Sequence, residues 1–400
     1  MNKNSRDTCR ACGDRSVQVF YEVRNIPVQS VLLFPTSEEA LGMPRGDLVL
    51  GFCASCGFIG NQAFDPRLIE YSSRYEETQS YSTTFTKFHT DLATRLIERF
   101  GLREKKILEI GCGKGEFLTL LCELGNNHGI GFDPGYDETR TVSPAKDRMT
   151  FIKDFYSERH ADVSADLVCC KMTLEHISAP LAFMQMIRKA LGTRLHTRVF
   201  FQIPEVERIL REGAFWDLYY EHCSYFSPVS LAGLFRRAGF SVNEVWTEYD
   251  DQYIMIDAFP AAKADTETSL ADRSRIVDLQ NLTEQFAKDV ESRIRAWSDL
   301  VRARARAGRR MVIWGAGSKG VGFLTALQLQ QEIQYAVDVN PHKHGTFLAG
   351  TGQEIVPPDF LRSYRPDLVF IMNPVYRSEI HAKLQEMGVT ADLIPLGDEQ

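Results

Sequence analysis

Residues 107–117 read Ile107-Leu-Glu109-Ile-Gly111-Cys-Gly113-Lys-Gly115-Glu-Phe117, and their order decides the fold. An apolar run that ends on glycine reads as a buried strand reaching the edge of a sheet. Three glycines at alternate positions then make a turn that tolerates positive φ and lets a ligand come close to the backbone. Helical spacing follows, so the stretch is one strand–turn–helix unit. Further strands are expected at 128–132, 150–153, 166–170, 198–203, 241–246 and 252–258, with helices between them. That alternation predicts an α/β domain with a parallel sheet covered on both faces.

Two kinds of ligand compete for such a turn. A diphosphate needs room for two anionic groups above a helix N-terminus, and the Glu109 carboxylate would repel it. The cationic sulfonium and ammonium end of S-adenosylmethionine suits Glu109 far better. The next strand closes on Asp133, where an acid can accept both ribose hydroxyls. A third ends at Asp154-Phe155, where adenine is expected with its amino group near Asp154 and its ring against Phe155. Glu109, Gly111, Gly113, Gly115, Asp133, Asp154 and Phe155 are therefore the expected cofactor residues. Taken together, this segment resembles the class I methyltransferase fold, a Rossmann-like sheet with a glycine-rich first motif.

Upstream, Cys9-x-x-Cys12 and Cys53-x-x-Cys56 are each followed by glycine. Two such knuckles can wrap four thiolates around one zinc ion with no open position, which makes the expected Zn2+ structural. Four ligands and a metal replace a core that so short a segment cannot build. The other five cysteines follow strand or helix patterns and read as core filling, though Cys223 could line a site.

Downstream, a polar stretch at 261–270 marks a boundary. Ile276, Leu279, Leu282, Phe286, Val290, Ile294, Trp297 and Val301 then recur every three or four residues. They form one stripe of a long helix ending near Ala307, expected to pack on its own chain. After it comes a second strand–turn–helix unit, Gly315-Ala-Gly317-Ser-Lys-Gly320, with further strands at 334–339 and 367–372. By itself this is a dinucleotide fingerprint. The unit is short, however, and the first cofactor site already supplies a chemistry. The expected domains are 1–65, 66–260 and 261–400.

Bulk properties narrow the function. Four hundred residues, 44% apolar and 25% charged, describe a multi-domain globular protein. A net charge of −7 disfavours a general nucleic-acid binder. No apolar run reaches the roughly 20 residues needed to span a bilayer, and the polar start lacks a signal peptide's pattern. The expected setting is the cytoplasm, with reduced thiols, no membrane and no nucleic-acid partner.

Residues 215–227 read Phe215-Trp-Asp-Leu-Tyr219-Tyr-Glu221-His222-Cys-Ser-Tyr-Phe-Ser227. Ionisable groups packed this densely among aromatics are costly unless they are used. The segment follows the fifth strand, near the strand ends where open parallel sheets bind ligands. A second pair, Glu175-His176, follows the fourth strand toward the same edge. With the cysteine knuckles and the C-terminal nucleotide-type fold, these residues resemble the S-adenosylmethionine-dependent sugar C-methyltransferases of deoxysugar biosynthesis. The resemblance covers nearly the whole chain.

It implies a small-molecule acceptor, a nucleotide-linked keto sugar, and a C-terminal domain that shapes the substrate pocket. It also implies that His222 removes the proton beside a ketone, that Tyr219 and Glu221 hold the sugar, and that His176 adds a polar contact. A tyrosine ahead of the glycine motif contributes in that family; Tyr75 and Tyr81 compete for the part, and Tyr81 is preferred. Lys319, Asn373 and Tyr376 lie near strand ends where they could touch a diphosphate or sugar. Methylation of oxygen or nitrogen on another small metabolite is the alternative. An RNA methyltransferase is a further one, disfavoured by charge and by Lys171-Met-Thr-Leu-Glu-His in place of an Asn-Pro-Pro-aromatic run.

Overall fold

Three sheets account for the strands of the chain, and a computed structural model describes them over residues 8–72, 74–329 and 331–397. The first opens with Val17–Pro27 (β1), Arg45–Cys53 (β2) and Ile59–Asn61 (β3), which pair antiparallel in that order. The second holds Lys106–Ile110 (β4), His128–Phe132 (β5), Met149–Ile152 (β6), Leu167–Lys171 (β7) and Arg198–Pro204 (β8). A two-residue strand, Ser224–Tyr225 (β9), returns to the first sheet and pairs antiparallel with β3. Phe240–Glu248 (β10) and Tyr253–Pro260 (β11) complete the second, whose order is β10-β11-β8-β7-β4-β5-β6.

The expected parallel sheet carries an antiparallel edge. β4 to β8 are parallel, but β11 runs antiparallel to β8 and to β10. The cause is the short connection between β10 and β11, where Tyr249, Asp250 and Asp251 all take positive φ. A hairpin turn can only reverse the chain; a parallel pair needs a crossover.

Each helix of this layer is stopped by its own chemistry. Helix Thr83–Phe100 starts on Ser82, whose side chain accepts from the Phe85 amide, and ends at Gly101 in the left-handed region. Leu92, Ala93, Leu96 and Ile97 bury its inner face against the sheet.

The long helix Leu270–Arg306 begins at Ser269, whose side chain accepts from the Asp272 amide, and packs on both the first sheet and the C-terminal one. Ile276, Leu279, Phe286, Val290 and Val301 are buried in one core, and Leu282, Ile294 and Trp297 pack against it. Phe286 meets Tyr21 of β1 edge-on at 5.2 Å, while Trp297 meets Phe323 at 5.6 Å. The stripe thus packs on its own chain.

Beyond it lie Met311–Trp314 (β12), Tyr335–Val337 (β13), Glu354–Val356 (β14), Leu368–Ile371 (β15) and Asp392–Pro395 (β16). They form a parallel sheet ordered β14-β13-β12-β15-β16. β14 and β16, three and four residues long, carry too little pattern to be read from sequence. Among the described residues no helix is long and apolar enough to cross a membrane.

Candidate active site

β4 delivers its turn to the edge of the second sheet. Gly111 and Gly113 take φ of 69° and 54°. A Cβ on Gly111 would lie 2.1 Å from Thr173 Oγ1, and one on Gly113 would lie 2.7 Å from Glu77 Oε1. Only glycine leaves this turn both its backbone and its walls.

Beneath it Glu109 is 2% exposed, and its Oε2 has no hydrogen-bond partner. Burial pushes the Glu109 carboxyl upward against the pull of the Lys171 ammonium. Lys171 shares a hydrogen bond with His89 Nε2 at 2.8 Å and lies 3.7 Å over the Phe117 ring. A buried carboxylate with an open acceptor fits a cationic ligand and opposes an anionic one.

Asp133 accepts from the amides of Gly113 at 2.9 Å and Gly135 at 2.7 Å, one on each oxygen. Each oxygen retains a second acceptor position. Asp154, expected at adenine, pairs with Arg159 at 2.9 Å, while Phe155 is 60% exposed and meets Tyr71 edge-on at 6.1 Å. Both residues line the same cavity as Glu109.

The second cluster comes from two elements. β7 runs into the single turn Leu174–His176, and the segment before β9 brings His222. The rings of His176 and His222 meet edge-to-face at 4.9 Å, and Tyr219 stands 4.9 Å from His222. Burial pushes His176 down to about 4 and Glu175 up to about 8. His222 is driven well down, by burial first, then by His176 and the Lys319 ammonium, with Asp217 opposing. Both imidazoles are therefore neutral near pH 7, with lone pairs free to accept a proton.

Three expected roles change in the structure. The Tyr219 hydroxyl donates to Asp217 Oδ1 at 2.9 Å, so its hydrogen is committed away from any sugar oxygen. Asp217 is also gripped by Arg208 at 2.6 Å and by the Lys319 ammonium. Glu221 does not line the cavity: its carboxylate accepts from the Ser30 amide at 3.0 Å, the Ser30 hydroxyl and the Tyr75 hydroxyl at 3.0 Å. It is buried, and polar donors of the chain itself satisfy it.

The third change concerns the tyrosine. Both candidates line the cavity: the preferred Tyr81 is 38% exposed with its ring 5.8 Å from that of His342, and Tyr75 is buried, bonded to Glu221 and packed on Tyr71 at 5.7 Å. The local run between them is a loop, so spacing along it did not settle which ring lies deeper.

One cavity of about 920 Å³ joins both clusters and extends to the C-terminal sheet. Gly315, Gly317, Ser318, Lys319, Asn373 and Tyr376 line it. Asn373 exchanges two 3.0 Å amide bonds with Gln252, and the Tyr376 hydroxyl donates to Gln79 at 3.0 Å. Behind the C-terminal turn, helix Ser318–Leu327 receives the segment Phe215–Asp217, and a Cβ on Gly322 would lie 2.8 Å from the Trp216 carbonyl oxygen. Asp338, the acid that ends β13's run, is taken up by the amides of Ala316 and Asn340 and by Lys343 at 3.3 Å.

The four knuckle thiols gather on the first sheet. Cys9 and Cys56 sulfurs are 3.6 Å apart, and Cys12 and Cys53 sulfurs 3.7 Å. Around a zinc ion with Zn–S of about 2.3 Å, tetrahedral sulfurs stand about 3.8 Å apart. The donor set fits that ion. Cys53 ends β2, β3 follows the knuckle, and β3 pairs with β9 directly after His222 and Cys223.

Sequence reasoning passed over Tyr71, Glu77, Lys171, Asp217 and Ser30. Tyr71, Tyr75, Glu76 and Glu77 share the dense mixture of acids and aromatics that flags residues 215–227, which is the signal that would have found them. Burial raises Glu77 to about 7 despite Lys114. Ser30 carries no comparable signal.

Comparison with known proteins gives two family matches. Residues 85–245 match a methyltransferase domain family, and residues 263–392 match the C-methyltransferase C-terminal domain. The C-methyltransferase NovU of Streptomyces niveus is 26% identical over 393 residues, 94% of this chain and 91% of that protein. Among solved structures, a methyltransferase from Aquifex aeolicus is 15% identical over 50% of this chain and 100% of its own, with a TM-score of 0.34. Magnesium protoporphyrin IX methyltransferase from Synechocystis, with bound S-adenosylhomocysteine, is 14% identical over 44% of this chain and 84% of its own, with a TM-score of 0.33.

Proposed function

We propose that this S-adenosylmethionine-dependent methyltransferase methylates a carbon of a nucleotide-linked keto sugar, with His222 as the base. The observation that carries this reading is the single cavity of about 920 Å³ shared by Glu109, Asp133, His176, His222 and Lys319. Its size lies at the upper end for ligand sites, which leaves room for a cofactor and an acceptor together.

When bound, S-adenosylmethionine supplies a methyl group on positively charged sulfur. Glu109 holds the cationic end, and Asp133 takes the ribose. Carbon becomes a nucleophile only after losing a proton, and a neighbouring ketone makes that proton acidic. Neutral His222 accepts it. The Lys319 ammonium, held at the cavity wall by the Asp217 carboxylate, is the cation offered to a developing enolate oxygen, while Arg208, the other cation on Asp217, is also paired with Glu212. Tyr219 and Glu221 act as positioning residues, through Asp217 and Tyr75 respectively.

The same reading includes a structural zinc ion on Cys9, Cys12, Cys53 and Cys56, and a cytoplasmic setting in which those thiols stay reduced. It divides the chain into a zinc-binding unit at 1–65, the cofactor domain at 66–260 and a pocket-shaping domain at 261–400.

The test is hydrogen–deuterium exchange at the carbon beside the ketone of a nucleoside-diphosphate-linked keto sugar. His222→Ala should abolish exchange and turnover while leaving cofactor binding within about twofold. Methyl transfer without exchange in the parent protein would instead assign the reaction to oxygen or nitrogen.

A further inference from the structure

Three ligand groups of two chemical kinds converge on the wall of the cavity. Glu175, His176 and His222 each offer an atom within 4.8 Å of the other two. Glu175 is 2% exposed, and neither of its carboxylate oxygens has a hydrogen-bond partner; Nδ1 of His176 is buried and unpartnered as well. Among the described residues, no hydrogen bond to protein engages the His222 ring nitrogens. A buried acceptor left open costs about 1–3 kcal/mol, and here several open acceptors share one space.

A proton on Glu175 would satisfy one of them. A cation satisfies all three groups at once. The positions are also held in advance. The Cys223 thiol donates to the Glu175 carbonyl at 3.6 Å, and the Ser224 hydroxyl donates to the Ile177 carbonyl at 2.7 Å. These bonds tie the single turn that carries Glu175 and His176 to the segment that carries His222.

We propose that Glu175, His176 and His222 form a binding site for a divalent cation of the zinc class, and that this cation competes with the reacting proton for His222. Two imidazole nitrogens and one carboxylate suit Zn2+, whereas Mg2+ and Ca2+ call for oxygen ligands. Metal–ligand bonds of about 2.0–2.2 Å require the three atoms to close inward by about 1 Å or less. The open side of the ion faces the cavity. A metal on His222 occupies the lone pair that would take the proton, so a filled site is a silenced base. The competition rests on the reading of His222 as the base; the site itself does not.

The test uses the full chain, dialysed against buffered zinc chloride, with zinc per chain measured by elemental analysis. Glu175→Gln, His176→Ala and His222→Ala should each bind one equivalent fewer than the parent protein. S-adenosylmethionine binding serves as the check that each variant is folded, and any two folded variants suffice. As the additional equivalent fills in the parent, deuterium exchange of a nucleoside-diphosphate-linked keto sugar should fall at least about tenfold and return on chelation. Equal zinc content in the parent and the folded variants overturns the site. A filled site with undiminished exchange leaves the site standing and overturns the competition, together with His222 as base.

Discussion

Glu109→Gln tests the cofactor cradle directly. The substitution keeps the shape of a side chain that is 2% exposed, so it opens no cavity, and it removes only the charge. Glu109 presents an acceptor, Oε2, that nothing in the chain satisfies, and the nearest cation acting on it is Lys171, itself bound to His89. A charge-assisted hydrogen bond to a buried group contributes about 1.5–3 kcal/mol, which is roughly 10- to 150-fold in Kd. Loss of the carboxylate also leaves Lys171 uncompensated in front of a cationic ligand, so the larger figure is the expected one.

The pH dependence has a definite sign. Burial raises the Glu109 pKa, and a bound cation favours the ionised form, so binding expels a proton. Affinity in the parent should therefore tighten as pH rises through that raised pKa, and the slope should vanish in the variant. Isothermal calorimetry with S-adenosylmethionine, run in buffers of different ionisation heat, measures both. Unchanged affinity and an unchanged pH slope in Glu109→Gln would refute the role given to this carboxylate. Uptake of NAD by either protein would refute the cradle as a whole.

Two further outcomes follow from the second cluster. Lys319→Met removes a cation that lowers the His222 pKa, so the acid limb of kcat/KM should move to higher pH; a purely structural loss would lower the rate at every pH without moving the limb. Tyr75→Phe should lower kcat/KM by up to about 10- to 150-fold, the worth of one hydrogen bond to a buried carboxylate, about 1.5–3 kcal/mol, whereas Tyr81→Phe should stay within about twofold. Equal losses in a side-by-side kinetic comparison would give Tyr81 a part equal to that of Tyr75.

What the sequence made legible is local, and what it hid is long-range. Strand β4, its glycine turn and both cysteine knuckles are each written within a dozen residues, because periodicity, positive φ and metal spacing are local demands. The commitments of Glu221 and Lys319 are not. Tyr75 and Glu221 stand 146 residues apart, Ser30 and Glu221 191, and Lys319 and Asp217 102. No pattern in a window of the chain carries such pairs, so Glu221 could be assigned to the sugar while Ser30 and Tyr75 already held its carboxylate; the bond from Tyr219 to Asp217 spans only two residues and lay within the segment that was read.

The segment 215–227 is the exception that shows why density was a usable signal. Trp216 packs against the helix of the C-terminal domain at Gly322, and Tyr220 fills the space over Gly46 of β2, where a Cβ would lie 2.3 Å from its ring. His222 faces His176 from the cofactor domain, and β9 closes the sheet behind the cysteine cluster. A stretch that meets three sheets within a dozen residues has no face left for solvent. Its side chains are therefore apolar, paired like Asp217 and Glu221, or turned like His222 to the cavity, and aromatic residues interleaved with acids and histidine are the composition that meets this demand. The crowding visible in the sequence is thus the local trace of contacts whose partners lie far along the chain.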